Sequence, residues 1–211
     1  MNNFEIGIKK YLKEDELEKI RKVRVGIAGA GGLGSNCAVN LVRCGFCRFV
    51  IADYDVVDGS NLNRQFFFNE QVEKSKVEML KENLEKINPD VEITVVEKKI
   101  EKNNIKEFFE NCDVIVEAFD EASYKKMIVE TYMKSEKFLV AASGMGGFGN
   151  SDNIVTKKIR DNFYIVGDFV SEVNENCPPL SPSVNITAAK QADVILTYIL
   201  RKSKGANNEC S

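Results

Sequence analysis

The 211-residue sequence contains no histidine. Ser-His and Cys-His nucleophile pairs and every His-based metal site are therefore excluded, and any chemistry must proceed without an imidazole base. Positive charge is not in excess either: 29 basic residues stand against 32 acidic ones, with a pI near 5.3. No basic field exists for non-specific binding to nucleic acid. No apolar run approaches the roughly 20 residues of a membrane-spanning helix, and the amino end, MNNFEIGIKKYLKEDELEKI, has no apolar signal core. These features predict a cytoplasmic protein with neither nucleic acid nor membrane as partner. The six cysteines, Cys37, Cys44, Cys47, Cys112, Cys177 and Cys210, are scattered, unlike the dense framework of a secreted mini-domain, and are expected as reduced thiols.

What is present suffices for one core. The chain, 44% hydrophobic over 211 residues, is long enough for one well-buried α/β domain and too short for two generous ones. Residues 4–21 read as an amphipathic helical lead-in, with Tyr11, Leu12, Leu17 and Ile20 apolar among charges. The division expected is a lead-in over 1–21, one domain over 22–202 and a disordered tail over 203–211.

Within that domain strand and helix alternate. VRVGIAGAG is a strand breaking into glycine, and a helix over Ser35 to Cys44 places Leu33, Cys37, Leu41 and Cys44 on one face. FCRFVIAD is the next strand. EQVEKSKVEMLKENLEKIN carries Val77, Leu80, Leu84 and Ile87 at helical spacing before Asn88-Pro89. VEITVV, DVIVEAF and KFLVAAS are further strands, with helices around NNIKEFFEN and Ala122 to Lys134 between them. Alternation of this kind predicts a Rossmann-like, mostly parallel, doubly wound sheet. Beyond Gly144, NIVTKKI and FYIVGDF read as two antiparallel strands, and a final helix is packed by Ile186, Ala189, Val194 and Ile195.

GAGGLG, with Gly29, Gly31, Gly32 and Gly34, follows a strand and opens a helix. That context suits a phosphate-binding turn: glycine lets the backbone approach phosphate oxygens, and the free amides of the helix start supply partial positive charge. Asp53 ends the next strand, where a carboxylate can accept both ribose hydroxyl protons. A tight turn without a ligand is the plainer reading, and the acid at this distance weighs against it. Arg64 and Lys76 then add two cations near the same crevice, which suits a triphosphate better than a dinucleotide. Asp120 ends the strand DVIVEAFD, and parallel strands face the ligand crevice with their carboxyl ends, so it is a candidate to hold Mg²⁺. Alone, each is commonly a solvated charge or a helix cap; together around one predicted crevice they carry weight.

GAGGLGS, DYDVVDGSNLNRQ, KSKVEML, INPDVEI and VEAFD together resemble the ThiF/MoeB/HesA family, bacterial relatives of ubiquitin-activating enzymes, in motif order over about 20 to 145. The resemblance implies an ATP-dependent adenylyltransferase, a homodimer, acting on the carboxyl-terminal glycine of a ubiquitin-like sulfur carrier. It further implies that Asp53 binds the ATP ribose, that Asn61, Arg64, Gln65 and Lys76 contact ATP and its phosphates, and that Asp120 serves Mg²⁺ and catalysis. GMGGFGNSDNIVTKKI and the compact length look most like the short ThiF branch of thiamine biosynthesis, whose carrier is ThiS. A carboxylate nucleophile arrives ionised, with a pKa of roughly 3.5, so no histidine is needed.

The sequence departs from that pattern in three places and matches some relatives in a fourth, at Cys177. Only one CxxC pair, Cys44 with Cys47, is present, so no structural zinc is expected. Lys125 stands where many relatives have an arginine. Arg21 is a weak stand-in for their amino-terminal arginine. Cys177, in NENCPPLSP, is a candidate reactive thiol without a neighbouring cation. Phe66, Phe67 and Phe68 are read as core before a contact surface. Competing readings are an NAD-dependent oxidoreductase on the same fold, an ATP-dependent tRNA-modifying dehydratase relative, and a non-catalytic nucleotide-binding module.

Overall fold

The structure is a computed structural model that describes residues 2–201; the expected tail over 203–211, with Cys210, lies outside the described residues. One seven-stranded sheet carries the strands in the order β3-β2-β1-β4-β5-β7-β6. Its strands are β1 (Arg24–Ala28), β2 (Arg48–Ala52), β3 (Glu92–Val96), β4 (Val114–Glu117), β5 (Phe138–Ala142), β6 (Val155–Arg160) and β7 (Phe163–Gly167). All neighbours are parallel except β6 against β7. The helices are α1 (Asn3–Ile8), α2 (Glu14–Lys22), α3 (Gly32–Arg43), α4 (Lys76–Glu85), α5 (Ile105–Phe108), α6 (Ala122–Tyr132) and α7 (Ser181–Arg201).

Residues alternate across each strand, so one run of apolar sequence feeds two cores. Val25, Ile27, Phe49, Ile51, Val114, Val116 and Val140 face the core built with α3, α4 and α7. Ala28, Val50, Ala52, Ile115, Leu139 and Ala141 face the second, with Phe109 after α5 and Met127 and Ile128 of α6. The doubly wound expectation is met. The strand order runs outward in opposite directions from the β1–β4 pair, which opens a crevice at the carboxyl ends of those two strands.

Several elements differ in their limits. The lead-in is two helices, not one: the turn after Ile8 leaves Tyr11 87% exposed, while Leu17 and Ile20 are fully buried. The second helix restarts at Lys13, whose amide donates to the Glu16 carboxylate at 3.1 Å. The expected long helix after Phe68 is a short turn of 3₁₀ over Asn69–Gln71, then α4. Glu73 at φ 69 interrupts them, in a conformation a helix does not admit. The final helix begins earlier, at Ser181, and buries Val184, Ala188, Ala192 and Ile195; Ala189, expected inside, is exposed. Only β6 is antiparallel, because β7 inserts parallel to β5 and leaves β6 as the sheet edge.

Candidate nucleotide-binding site

A cleft of about 710 Å³ opens at the carboxyl ends of β1 and β4. Its floor begins with the glycine loop. Gly29 turns at φ +101, and a Cβ there would lie 2.9 Å from the Ala118 carbonyl oxygen, so the loop can pass β4 only as glycine. A Cβ on Gly34 would lie 1.8 Å from the Gly29 carbonyl oxygen. Gly34 therefore does not line the cleft; it lets α3 seat on the loop so that the helix start faces the cleft. Gly31, which has no side chain to cap the first amides of α3, and Gly32 line it.

Asp53 closes that loop onto β2. Its Oδ2 accepts from the Ala30 amide at 2.6 Å and its Oδ1 from the Asp55 amide at 2.9 Å. Burial pushes its carboxyl above the ordinary range, against the pull of the Asp55 and Ala30 amides and of Lys76. The segment after β2 then supplies the cations. Asn61 is buried, with its side-chain oxygen accepting from the Asp58 amide at 3.0 Å and its carbonyl accepting from the Arg64 and Gln65 amides. Asn61 does not line the cleft; it builds the turn that presents Arg64 and Gln65 to it. Arg64 lines the cleft beside Gly32, its guanidinium held by the Ser60 carbonyl and the Asn63 side chain at 3.0 and 2.7 Å. Gln65 lines the cleft, and its Oε1 is buried with no hydrogen-bond partner among the described residues.

Lys76 opens α4 and is 7% exposed, with its ammonium 2.9 Å from Asp55 Oδ2. Across the cleft, Asp120 is exposed, one carboxylate oxygen accepting from the Glu121 amide at 2.9 Å. Among the described residues no group of three or more His, Cys, Asp or Glu clusters for a metal. A lone rim carboxylate fits a hydrated Mg²⁺ shared with phosphate oxygens, which uses one or two carboxylates, and does not fit an all-protein cage.

The chain also brings residues to the cleft that periodicity did not single out. Tyr54, Ile100, Phe119 and Tyr124 give part of its wall an apolar, aromatic character. The Phe119 and Tyr124 rings are 5.1 Å apart, and the Lys99 ammonium lies 5.7 Å from the Tyr54 ring and 5.8 Å from the Tyr124 ring. The signal was the two tyrosines placed beside Asp53 and Asp120. Lys125 lines the cleft too, but its ammonium pairs with the fully buried Glu117 at 3.2 Å.

Other candidates sit elsewhere. Cys177 is half-buried with its sulfur against Gly146 and Gly147, outside the cleft lining. Cys47 donates to the Arg21 carbonyl at 3.6 Å, and burial raises both the Cys44 and Cys47 thiols. Arg21 pairs with Glu5 at 3.0 Å. Of the three phenylalanines, Phe67 is buried as expected and Phe68 is 44% exposed. No helix among the described residues is long and apolar enough to cross a membrane.

A glycine loop, a strand-end acid and two cations gathered at the carboxyl ends of this mostly parallel sheet place the chain in the class of Rossmann-like α/β proteins. The chain belongs to the ThiF family, whose model matches residues 5–210. It is 31% identical over 148 residues to SUMO-activating enzyme subunit 2 of Dictyostelium discoideum, covering 69% of this chain and 22% of that protein. It is 43% identical over 81 residues to ubiquitin-like modifier-activating enzyme 5 of Caenorhabditis elegans, covering 38% of this chain and 19% of that protein. The chain thus spans about a fifth of the length of these relatives. Among solved structures it is similar to E. coli tRNA N6-threonylcarbamoyladenosine dehydratase in complex with ATP, with TM-score 0.86, 19% identity and 95% of both chains covered. E. coli MccB with ATP aligns at TM-score 0.69 and 20% identity, over 89% of this chain and 58% of that one. These likenesses establish the fold.

Proposed function

We propose that the protein adenylates the carboxyl-terminal glycine of a ubiquitin-like sulfur carrier of the ThiS kind, as in thiazole formation for thiamine, with ATP and Mg²⁺. One observation carries the reading: the glycine loop, Arg64, Lys76 and Asp120 line a single cleft beside Asp53. A dinucleotide oxidoreductase would use the loop and Asp53 and leave the two cations without a purpose. The net charge of −3 favours a protein acceptor over tRNA.

In the reaction the carrier carboxylate oxygen bonds to the α-phosphorus while the bond to the bridging oxygen breaks. Pyrophosphate leaves with that electron pair, and an acyl-adenylate remains. No proton is moved, which agrees with a chain lacking histidine. Asp53 accepts the ribose hydroxyls, and the amides that open α3 meet phosphate oxygens. Arg64 and Lys76 neutralise charge that grows on the phosphoryl oxygens. Asp120 is the residue that would hold Mg²⁺, which would supply further charge neutralisation on the triphosphate. Two subunits form the working unit.

The test is ATP–pyrophosphate exchange with ThiS, with the molybdopterin-pathway carrier and with tRNA as acceptors, beside NAD binding. Exchange dependent on ThiS is expected. NAD binding without ATP binding, or ATP turnover driven only by tRNA, overturns the proposal.

A further inference from the structure

Glu117 is a full charge at the carboxyl end of a strand whose burial is complete. A buried carboxylate is stable only when its oxygens are satisfied. Three donors meet this one. Oε1 accepts from the Phe119 amide at 2.8 Å, Oε2 accepts from the Ala142 amide at 3.2 Å, and the Lys125 ammonium lies 3.2 Å from both. The Ala142 carbonyl accepts the third Lys125 hydrogen bond at 3.1 Å. Although Lys125 lines the cleft, it cannot turn to a phosphate without leaving Glu117 buried and unpaired.

Resting on the adenylation reading, we propose that Glu117 is a positioning residue and that Lys125 serves it as counter-ion and not as a phosphate ligand. The carboxylate ties two cleft walls to one another. Through the Phe119 amide it fixes the turn that carries Asp120, and through the Ala142 amide it fixes the end of β5 before Ser143 and Gly144, which also line the cleft. From α7, Gln191 donates to the Glu117 carbonyl at 3.2 Å and holds the same residue from behind. Among the described residues, Asp120 itself has no such support beyond its neighbour's amide. Its placement follows from Glu117.

The experiment compares wild type, Lys125→Met, Lys125→Arg, Glu117→Gln and the Glu117→Gln/Lys125→Met double variant, reading carrier-dependent exchange and ATP affinity separately. Displacing a reacting group by about 1 Å costs roughly 100-fold in rate. Lys125→Met should lower kcat by about that factor with the ATP Kd within about threefold, and Lys125→Arg should recover most of the loss. Adding Glu117→Gln to Lys125→Met should restore at least about tenfold, because no unpaired charge is left buried. A tenfold weaker ATP Kd in Lys125→Met that Glu117→Gln does not relieve would make Lys125 a phosphate ligand and overturn the proposal. If Lys125→Met fails to fold, Lys125→Arg and the double variant decide: rates within about tenfold of wild type support it, and collapse in both refutes it. If wild type shows no exchange, the adenylation reading fails on its own. The same cycle is then read on thermal melting, where additive effects of Lys125→Met and Glu117→Gln refute the pair's role.

Discussion

Replacing Lys76 by methionine keeps the buried stem and removes the charge, so it separates chemistry from folding. The Lys76 side chain is 8% exposed while its partner Asp55 is 47% exposed. After the substitution the Asp55 carboxylate faces water and needs no partner. A pair with one member so solvated is worth at most about 1 kcal/mol. For a domain of this size that lowers Tm by about 2–4 °C. The cation's effect on the reaction is larger, since losing one preorganised donor to a transition state typically costs about 100- to 1,000-fold, or about 2.7–4 kcal/mol. Circular-dichroism melting and ATP–pyrophosphate exchange on the same preparation make the comparison. Exchange should fall by at least about 100-fold while the melt barely moves. Undiminished exchange would remove Lys76 from the mechanism, and a loss of Tm above about 8 °C would show the pair to be structural.

The remaining predictions concern the loop, the ribose acid and the outlying thiol. Gly34→Ala puts a Cβ 1.8 Å from the Gly29 carbonyl oxygen, so α3 must lift off the loop; nucleotide binding should be lost together with several degrees of Tm, and calorimetric binding near wild type would refute the close seat. Burial raises the Asp53 carboxyl above 3.8, so its protonation favours the fold. That contribution is fully present below the unfolded value and is lost as pH rises through the folded one. ATP affinity should accordingly fall, on acidification, at a higher pH than an unperturbed aspartate gives; a midpoint at or below the ordinary aspartate range contradicts the placement. Cys177→Ser should leave adenylation within about twofold, because the sulfur stands outside the cleft, and a hundredfold loss of exchange would place the thiol in the adenylation step.

Much of the site was legible in the sequence because its parts are local. GAGGLG specifies backbone conformations of neighbouring residues, and a helix start presents its amides wherever it folds. Asp53 and Asp120 could be assigned to the crevice because the carboxyl ends of parallel strands lie together by topology. Asn61 was harder. Its residue type is equally suited to a ligand and to its own turn, and the structure spends its side-chain oxygen on the Asp58 amide. The broken lead-in shows the same limit, since apolar spacing does not reveal where a chain turns back on its own carbonyls.

The sequence alone determined the order of strands and helices, the phosphate-type loop and the absence of imidazole chemistry, because periodicity, glycine placement and residue type are properties of contiguous chain. Only the tertiary structure decided that β7 enters beside β5, that Asn61 faces inward, and that the Lys125 ammonium belongs to Glu117. Those outcomes depend on which distant segment passes within about 3 Å of a side chain, and a hydrogen-bonding group goes to the partner that packing brings nearest.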